Sequence, residues 1–152
     1  MSRVQSSKFK VQGSKTGVQS RAQVKLINPK TLPTPVGFNH GVLIEGNKIL
    51  FLAGQNGANQ GSEIVSDDFT AQFEAALKNL VAVLKEAGGK PDQLGLMNIY
   101  VTSREEYGQA RKSMGAVWKK RLGRHYPACA MFEVKGLWDP RAKVELEGIA
   151  VL

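Results

Sequence analysis

The chain has 152 residues, one cysteine and a formal net charge of +8, and 42% of its residues are hydrophobic. That length suits one domain with a real core rather than two, and the hydrophobic content excludes a chain that is disordered throughout. The single cysteine, Cys129, excludes an intramolecular disulfide and favours a reducing compartment, so we expect a cytoplasmic protein.

The basic charge is concentrated at the N-terminus. Seven of the 21 Lys and Arg residues lie in residues 1–30, before the first acidic residue, Glu45, and the remainder is nearly neutral. Because this segment is also rich in Ser, Gln and Gly, we expect residues 1–28 to form a flexible basic tail that could contact nucleic acid non-specifically, or simply remain solvated. The domain then covers residues 29–152. No apolar run approaches the roughly 20 residues that span a bilayer, and no secretory signal follows the basic start, so we expect no membrane partner.

The first half of the domain predicts two strands. Val24–Ile27 and the proline-rich residues 29–35 predict an extended entry segment. The apolar runs Gly41–Glu45 and Lys48–Ala53 flank Gly46-Asn47, which predicts a β-hairpin. The Gly/Asn-rich segment 54–61 that follows lacks the spacing of a phosphate-binding loop.

Two amphipathic helices follow, separated by a strand over Leu94–Val101. Ser66 or Asp67 can cap a helix that runs to about Ala87, and Ser103 can cap a second helix from Arg104 to about Leu122. Apolar residues recur at helical spacing in both: Phe69, Phe73, Ala76, Leu77, Leu80 and Leu84 in the first, and Tyr107, Ala110, Met114, Val117 and Trp118 in the second. We predict that the aromatic residues among them belong to the core rather than to a ligand site.

The C-terminal stretch predicts two further strands, Ala128–Val134 and Lys143–Val151, with turn residues between them. The second run alternates, so Glu145 and Glu147 share one face of the strand. A face that carries two carboxylates either meets water or lines a cleft.

The order strand, strand, helix, strand, helix, strand, strand predicts an α+β fold, in which a single mixed sheet carries two helices on one face. The other face of the sheet would then be bare. A bare sheet face in a folded protein usually meets a partner, so we expect a homo-oligomer.

Several short motifs carry a resemblance when they are taken together and in order. They are Phe51-Leu52-Ala53-Gly54-Gln55, Gln72 with Ala76, Leu77, Asn79 and Leu80, Glu86-Ala87-Gly88, Ile99-Tyr100-Val101-Thr102, Tyr126-Pro127-Ala128 and Val144 to Ala150. From about Pro29 to Leu152 the chain resembles the RidA/YjgF family. The resemblance implies a chorismate-mutase-like fold and a homotrimer with three clefts between subunits. It also implies hydrolysis of reactive enamines or imines to a ketone and ammonia, without metal or cofactor.

The resemblance also implies a set of site residues. It places the water-positioning carboxylate of the archetype on Glu145, which we predict to be catalytic. It places Cys129 where the archetype has an arginine that holds the substrate carboxylate. The other predicted substrate-binding residues are Tyr126 and Ala128 of the same motif, His40 in the segment that replaces a tyrosine of the archetype, and Arg111 near the position of an asparagine.

Each of these residues also has a simpler interpretation. Glu145 could be a solvated strand carboxylate, and His40 could be structural. The sequence offers Cys129 no matched histidine partner, which favours a small buried or cleft-lining thiol over a nucleophile. His40, His125 and Cys129 lack metal-ligand spacing, so we predict no metal site.

Three function classes remain open at this point: a hydrolase of small imines or enamines, a non-catalytic metabolite-binding trimer, and RNA binding or cleavage. The third is least favoured, because the folded part is nearly neutral and shows no basic face interleaved with aromatics. Since cysteine cannot replace a guanidinium, we predict weak activity on 2-iminoacids such as 2-iminopropionate and better activity on imines that are uncharged or anchored elsewhere. Cys129→Arg is then expected to raise activity on the iminoacids.

Overall fold

A computed structural model describes residues 24–32, 34–36 and 39–152. Residues 1–23 of the predicted tail lie outside the described residues. Residues Val24–Ile27, near its end, form a strand. The described elements are β1 (Val24–Ile27), β2 (Gly41–Ile44), β3 (Ile49–Asn56), α1 (Phe69–Glu86), β4 (Leu94–Val101), α2 (Arg104–Leu122), β5 (Ala128–Glu133) and β6 (Val144–Val151), with a short 3-10 turn at Pro91–Gln93.

Four strands form one mixed sheet in the order β3-β6-β4-β5. β6 runs antiparallel to both neighbours, whereas β4 and β5 are parallel. β5 is last in this order and is therefore an edge strand. Both helices pack on one face of this sheet, which confirms the predicted α+β arrangement. β1 and β2 pair antiparallel in a separate two-stranded sheet.

The hairpin predicted across Gly46-Asn47 is wrong. β2 pairs with β1 rather than with β3, and β3 pairs with the C-terminal strand β6. After β2 the backbone is bonded to the C-terminal residue instead. The N–H groups of Asn47 and Lys48 both donate to the carbonyl oxygen of Leu152 at 3.1 Å. The turn residues are therefore present, but tertiary hydrogen bonds decide which strands meet.

The core lies between the helices and the sheet. The alternating residues Val144, Leu146, Gly148 and Ala150 of β6 are buried against the helices. All six apolar residues predicted for the first helix are buried, and those predicted for the second are buried or packed against the core. Neither helix in the described part of the chain has the length and apolar character needed to cross a membrane.

The helix caps agree with the sequence in one case and differ in the other. Ser103 caps α2 as predicted, because its Oγ accepts from the backbone N–H of Glu106 at 3.2 Å. The cap of α1 is Asp68 rather than Ser66 or Asp67. Its Oδ1 accepts from the N–H of Ala71 at 2.7 Å, while Ser66 accepts from the N–H of Asp68 itself. Ser66 thus orients the capping residue instead of capping the helix.

A fully buried glutamine joins α1 to the segment that leads into β6. Gln72 donates through Nε2 to the carbonyl oxygens of Ser66 at 2.7 Å and Arg141 at 3.0 Å. Its Oε1 accepts from the backbone N–H of Lys143 at 2.8 Å. One buried side chain therefore satisfies three backbone groups from two different loops.

Candidate functional site

A cavity of about 560 Å³ lies between α2 and the edge strand β5. One wall is a helical stripe of α2, formed by residues that follow each other at intervals of three or four: Tyr107, Arg111, Met114 and Trp118. The facing wall is β5, and the full lining adds Val36, Ile99, Gly108, Gly115, Tyr126, Cys129, Ala130 and Met131. The cavity is thus largely apolar and aromatic, as is usual for sites that take small molecules.

Two stacked aromatic rings form the floor of the cavity. The rings of Trp118 and Tyr126 lie 5.2 Å apart with an angle of 16° between their planes. The indole N–H of Trp118 donates to the carbonyl oxygen of His125 at 2.9 Å, and Asn39 donates to the carbonyl oxygen of Tyr126 at 2.6 Å. These bonds help to hold both residues in place.

Cys129 is a neutral group in this cavity. Burial raises the pKa of its thiol to about 12, so the sulfur stays protonated at neutral pH. A protonated thiol is neither a nucleophile nor a charge partner for a substrate. Burial likewise raises the pKa of Tyr107, against the opposing positive charge of Arg111 one helical turn away. The cavity wall around Cys129 is therefore apolar at physiological pH.

Glu145 lies on the opposite face of the sheet. Cys129 pairs with the buried Met97 of β4, and Glu145 pairs with Tyr100 three residues further along the same strand. Since successive side chains of a strand alternate, Met97 and Tyr100 point to opposite faces. Within one chain, the positions that correspond to the arginine and the carboxylate of the archetype therefore lie on opposite faces of the sheet, with β4 between their strands.

A glycine makes room for the Glu145 carboxylate. β3 changes register between Leu52 and Gln55, and the carboxylate of Glu145 lies over Gly54 in this irregular segment. A Cβ on Gly54 would collide with Oε1 of Glu145 and would lie 3.0 Å from its Cδ. The absence of a side chain at Gly54 thus leaves room for this carboxylate over β3.

A second carboxylate on the same face is held in a hydrogen-bond network. Glu147 accepts through Oε1 from the hydroxyl of Tyr100 at 2.6 Å and from Nδ2 of Asn98 at 3.0 Å. The Asn98 and Tyr100 bonds lower the pKa of Glu147, and the bond to Glu147 raises the pKa of Tyr100. Phe132 stacks on Tyr100 at 5.5 Å. Sequence reasoning missed this network, although alternation along β4 places Asn98 and Tyr100 on one face.

We expect Glu147→Gln to destabilise the fold at neutral pH but not in acid. The pKa of Glu147 is lower in the folded chain than its ordinary value of 4.5, so the ionised group stabilises the fold above that value. This contribution is lost as pH falls through the folded pKa. Urea unfolding of both proteins from neutral to acidic pH should show the difference in unfolding free energy shrinking below about pH 4.5. A difference that is constant with pH would contradict this role of the network.

The six predicted site residues do not form one cluster within a chain. Cys129, Tyr126 and Arg111 line the cavity, and Ala128 lies beside it while Ala130 contributes to the lining. His40 directly precedes β2. Its backbone N–H donates to Oδ1 of Asn28 at 2.9 Å, and it is not among the lining residues.

Two of the aromatic lining residues were not predicted from the sequence as ligand contacts. Tyr107 and Trp118 were predicted to belong to the core, which the packing confirms, but they also face the cavity. The available signal was the presence of two glycines, Gly108 and Gly115, inside a helix where no turn is required. A Cβ at either glycine would meet nothing within 4 Å.

We expect Gly108→Ala to stabilise the protein by about 0.5–1 kcal/mol, because alanine restricts the unfolded chain and favours the helix. Thermal unfolding should shift upward by roughly 1–4 °C. Gly123 provides a control of opposite sign. Its φ of 67° favours glycine, so Gly123→Ala should destabilise the protein by about 1 kcal/mol. A lowered midpoint for Gly108→Ala would show that another chain packs against this position.

In the part of the chain that the structure describes, no three His, Cys, Asp or Glu side chains converge in a way that could hold a metal ion. The residues facing the cavity can instead hold a small organic molecule by apolar contact and through one positive charge.

Comparison with known proteins identifies the family of the chain. The family model described as endoribonuclease L-PSP matches residues 29–152. A RutC family protein of Aquifex aeolicus (strain VF5) is 31% identical over 119 residues, covering 78% of this chain and 92% of that protein. The crystal structure of YyfB from Yersinia pestis, a protein of unknown function of the conserved Rid protein family, superposes with a TM-score of 0.75 at 30% identity, covering 85% of this chain and 98% of that chain.

A further structure shares the fold at lower identity. The crystal structure of E. coli TdcF with bound serine has a TM-score of 0.62 at 23% identity, and the match covers 84% of this chain and 98% of that chain. The matched family model extends over most of the chain, and the similar proteins are covered almost completely. The chain therefore belongs to the RidA/YjgF family, whose family model carries the description endoribonuclease L-PSP.

Proposed function

We propose that the protein hydrolyses small imines or enamines in clefts that form between copies of the chain, in a homotrimer, with Glu145 as the carboxylate that handles water. The observation that carries the proposal is the placement of Glu145 over Gly54, because a merely solvated carboxylate needs no such accommodation. The apolar cavity beside β5 supplies the complementary half of such a cleft.

The chemistry requires one carboxylate that can take and return a proton. Glu145 accepts a proton from water while the water oxygen bonds to the electrophilic imine carbon, and the carboxylic acid so formed passes that proton to the imine nitrogen. The tetrahedral carbinolamine then collapses: its hydroxyl proton passes through Glu145 to the amine nitrogen, the C–N bond breaks, ammonia leaves and the oxygen becomes the carbonyl of the product. An enamine first takes a proton on carbon and loses one from nitrogen to become the imine.

Two observations support a cleft between chains rather than within one. Cys129 and Glu145 lie on opposite sheet faces of the same chain, so they can share a cleft only if they come from different copies. The face that carries Glu145 also exposes large apolar side chains, Ile49 at 65%, Phe51 at 74% and Phe132 at 46% of their surface. Apolar surface of this kind is typical of an interface.

Mixing two inactive variants tests the proposal. Glu145→Gln removes the carboxylate, and Gly115→Leu adds an apolar side chain to the cavity wall at an exposed helix position, where a Cβ would meet nothing within 4 Å. If each cleft takes its carboxylate from one copy and its cavity from another, a 1:1 co-assembled mixture should recover about a quarter of the wild-type clefts. The assay follows loss of 2-iminopropionate, generated from alanine by an amino-acid oxidase, against uncatalysed hydrolysis.

Co-refolded wild-type protein serves as the control for the mixing procedure. A mixture that stays inactive while this control is active would contradict the shared cleft. A stable monomer in sedimentation at micromolar concentration would contradict it as well.

A second candidate function is binding of a small metabolite without catalysis. It is favoured by Cys129 in place of the archetypal arginine and by the serine bound in the crystal structure of E. coli TdcF. Saturable binding of small acids by a wild-type protein that does not accelerate imine hydrolysis would support this alternative. RNA as a substrate lacks such support, because the folded part of the chain is close to neutral.

A further inference from the structure

Arg111 has an exceptional place in the cavity. Of the lining residues that the structure describes, Arg111 alone carries a charge. It lies on the stripe of α2 that faces β5, one turn after Tyr107 and two turns before Trp118. Its side chain is exposed and lies on the wall opposite Cys129.

Several cations on and around α2 are paired with carboxylates. Among the described residues, Arg111, Lys112 and Lys119 have no such partner, and of these three only Arg111 lines the cavity. Arg104 pairs with Glu133 at 2.9 Å, Lys143 pairs with Glu106 at 2.6 Å, and Lys120 and Arg121 both pair with Glu74. Among residues 24–32, 34–36 and 39–152, Arg111 has no carboxylate within ion-pair distance. A guanidinium beside an apolar cavity and without an acidic partner can accept one from a ligand.

We propose that Arg111 is the carboxylate anchor of this cavity and that the cavity takes a small monocarboxylate with an apolar or aromatic body. The anchor is then supplied from α2 instead of from the position of Cys129 on β5, and this replaces the expectation of weak activity on 2-iminoacids that was drawn from Cys129 alone. The inference deepens the proposed function, since the carboxylate would be that of the imine substrate.

The lining fits both ends of such a ligand. The planar fork of a guanidinium binds both oxygens of a carboxylate, which a neutral thiol cannot do. The stacked rings of Trp118 and Tyr126 offer an apolar surface for the body of the ligand. The small side chain of Cys129 leaves open the volume that an arginine there would occupy. Compared with the archetype, the positive charge then lies on α2, at Arg111, rather than on β5, at the position of Cys129.

Tryptophan fluorescence can report binding in this cavity. The chain has two tryptophans, Trp118 in the cavity floor and Trp138, which is 98% exposed. In the Trp138→Phe background the emission comes from Trp118 alone. Phenylacetate and phenylacetamide are matched probes, because they share an aromatic body and differ in the charge of the head group.

Phenylacetate should bind about 10- to 100-fold more tightly than phenylacetamide, the usual gain of a charge-assisted hydrogen-bond pair. Arg111→Gln should abolish this preference and leave amide binding unchanged, and Arg111→Lys should keep part of it because a point charge lacks the fork. Lys112→Gln, which changes an exposed neighbour outside the lining, should bind as the parent does. Adding Cys129→Arg to Arg111→Gln should restore the preference for the acid.

Equal affinity for acid and amide, or an acid affinity that Arg111→Gln does not change, would overturn the inference. So would failure of both probes to bind. The proposed function can fail on its own. If the protein binds phenylacetate through Arg111 but does not accelerate imine hydrolysis, the inference on Arg111 holds and the proposed reaction is wrong. Where both hold, Arg111→Gln should reduce kcat/KM on 2-iminopropionate and spare an uncharged imine.

Discussion

Glu145→Gln is expected to lower kcat/KM for imine hydrolysis by about 100- to 10,000-fold, the usual contribution of a positioned general acid–base group. The amide is nearly the same size as the carboxylate and fits over Gly54, but it cannot accept a proton from water. Steady-state hydrolysis of 2-iminopropionate and of an uncharged imine should both show the loss, because the step that uses Glu145 is common to them.

Glu147→Gln is the matched control on the same strand and the same sheet face. Its carboxylate is already engaged by Tyr100 and Asn98, so replacing it should change kcat/KM by less than about tenfold. If Glu147→Gln were the more damaging of the two, the catalytic role would belong to the hydrogen-bonded carboxylate. Equal activity of Glu145→Gln and wild type would leave the metabolite-binding alternative as the better account.

Gln72→Met is expected to destabilise the chain by about 2–4 kcal/mol, because it leaves two carbonyl groups and one N–H without their buried partner. For a chain of this size the thermal midpoint should fall by roughly 5–15 °C. Methionine has a similar length, so the loss measures the hydrogen bonds rather than a cavity.

Gln109→Met makes the same substitution at an exposed position of α2, where the side chain bonds to Glu105 alone among the described residues. Its effect should stay within about 0.5 kcal/mol. If both variants unfolded at the same temperature, the three bonds of Gln72 would not stabilise the junction between α1 and the approach to β6.

The sequence predicted those parts of the fold that depend on neighbours along the chain. The two helices and β4 lie at the predicted positions because their apolar spacing is regular and Ser103 is an unambiguous cap. The hairpin at Gly46-Asn47 was wrong because a turn signal does not say which strand is the partner. That choice depends on Leu152, more than a hundred residues away, which binds the backbone at Asn47 and Lys48.

The candidate site was predictable in part for a similar reason. Cys129, Tyr126 and Arg111 were identified through a family resemblance, and they do line one cavity. Periodicity placed Glu145 and Glu147 on one face of β6, as the structure has them. Whether Cys129 lies on that same face depends on the strand order and on the register across β4. Neither can be predicted from the local hydrophobic pattern.

The opposite orientation of Cys129 and Glu145 has a kinetic consequence. A separated chain would carry two half-sites that cannot meet, so catalysis would depend on protein concentration as well as on substrate. Specific activity should be constant at high concentration and fall on dilution, with a midpoint set by the stability of the assembly. Binding of phenylacetate at Arg111, which needs one chain only, should persist where turnover has already been lost.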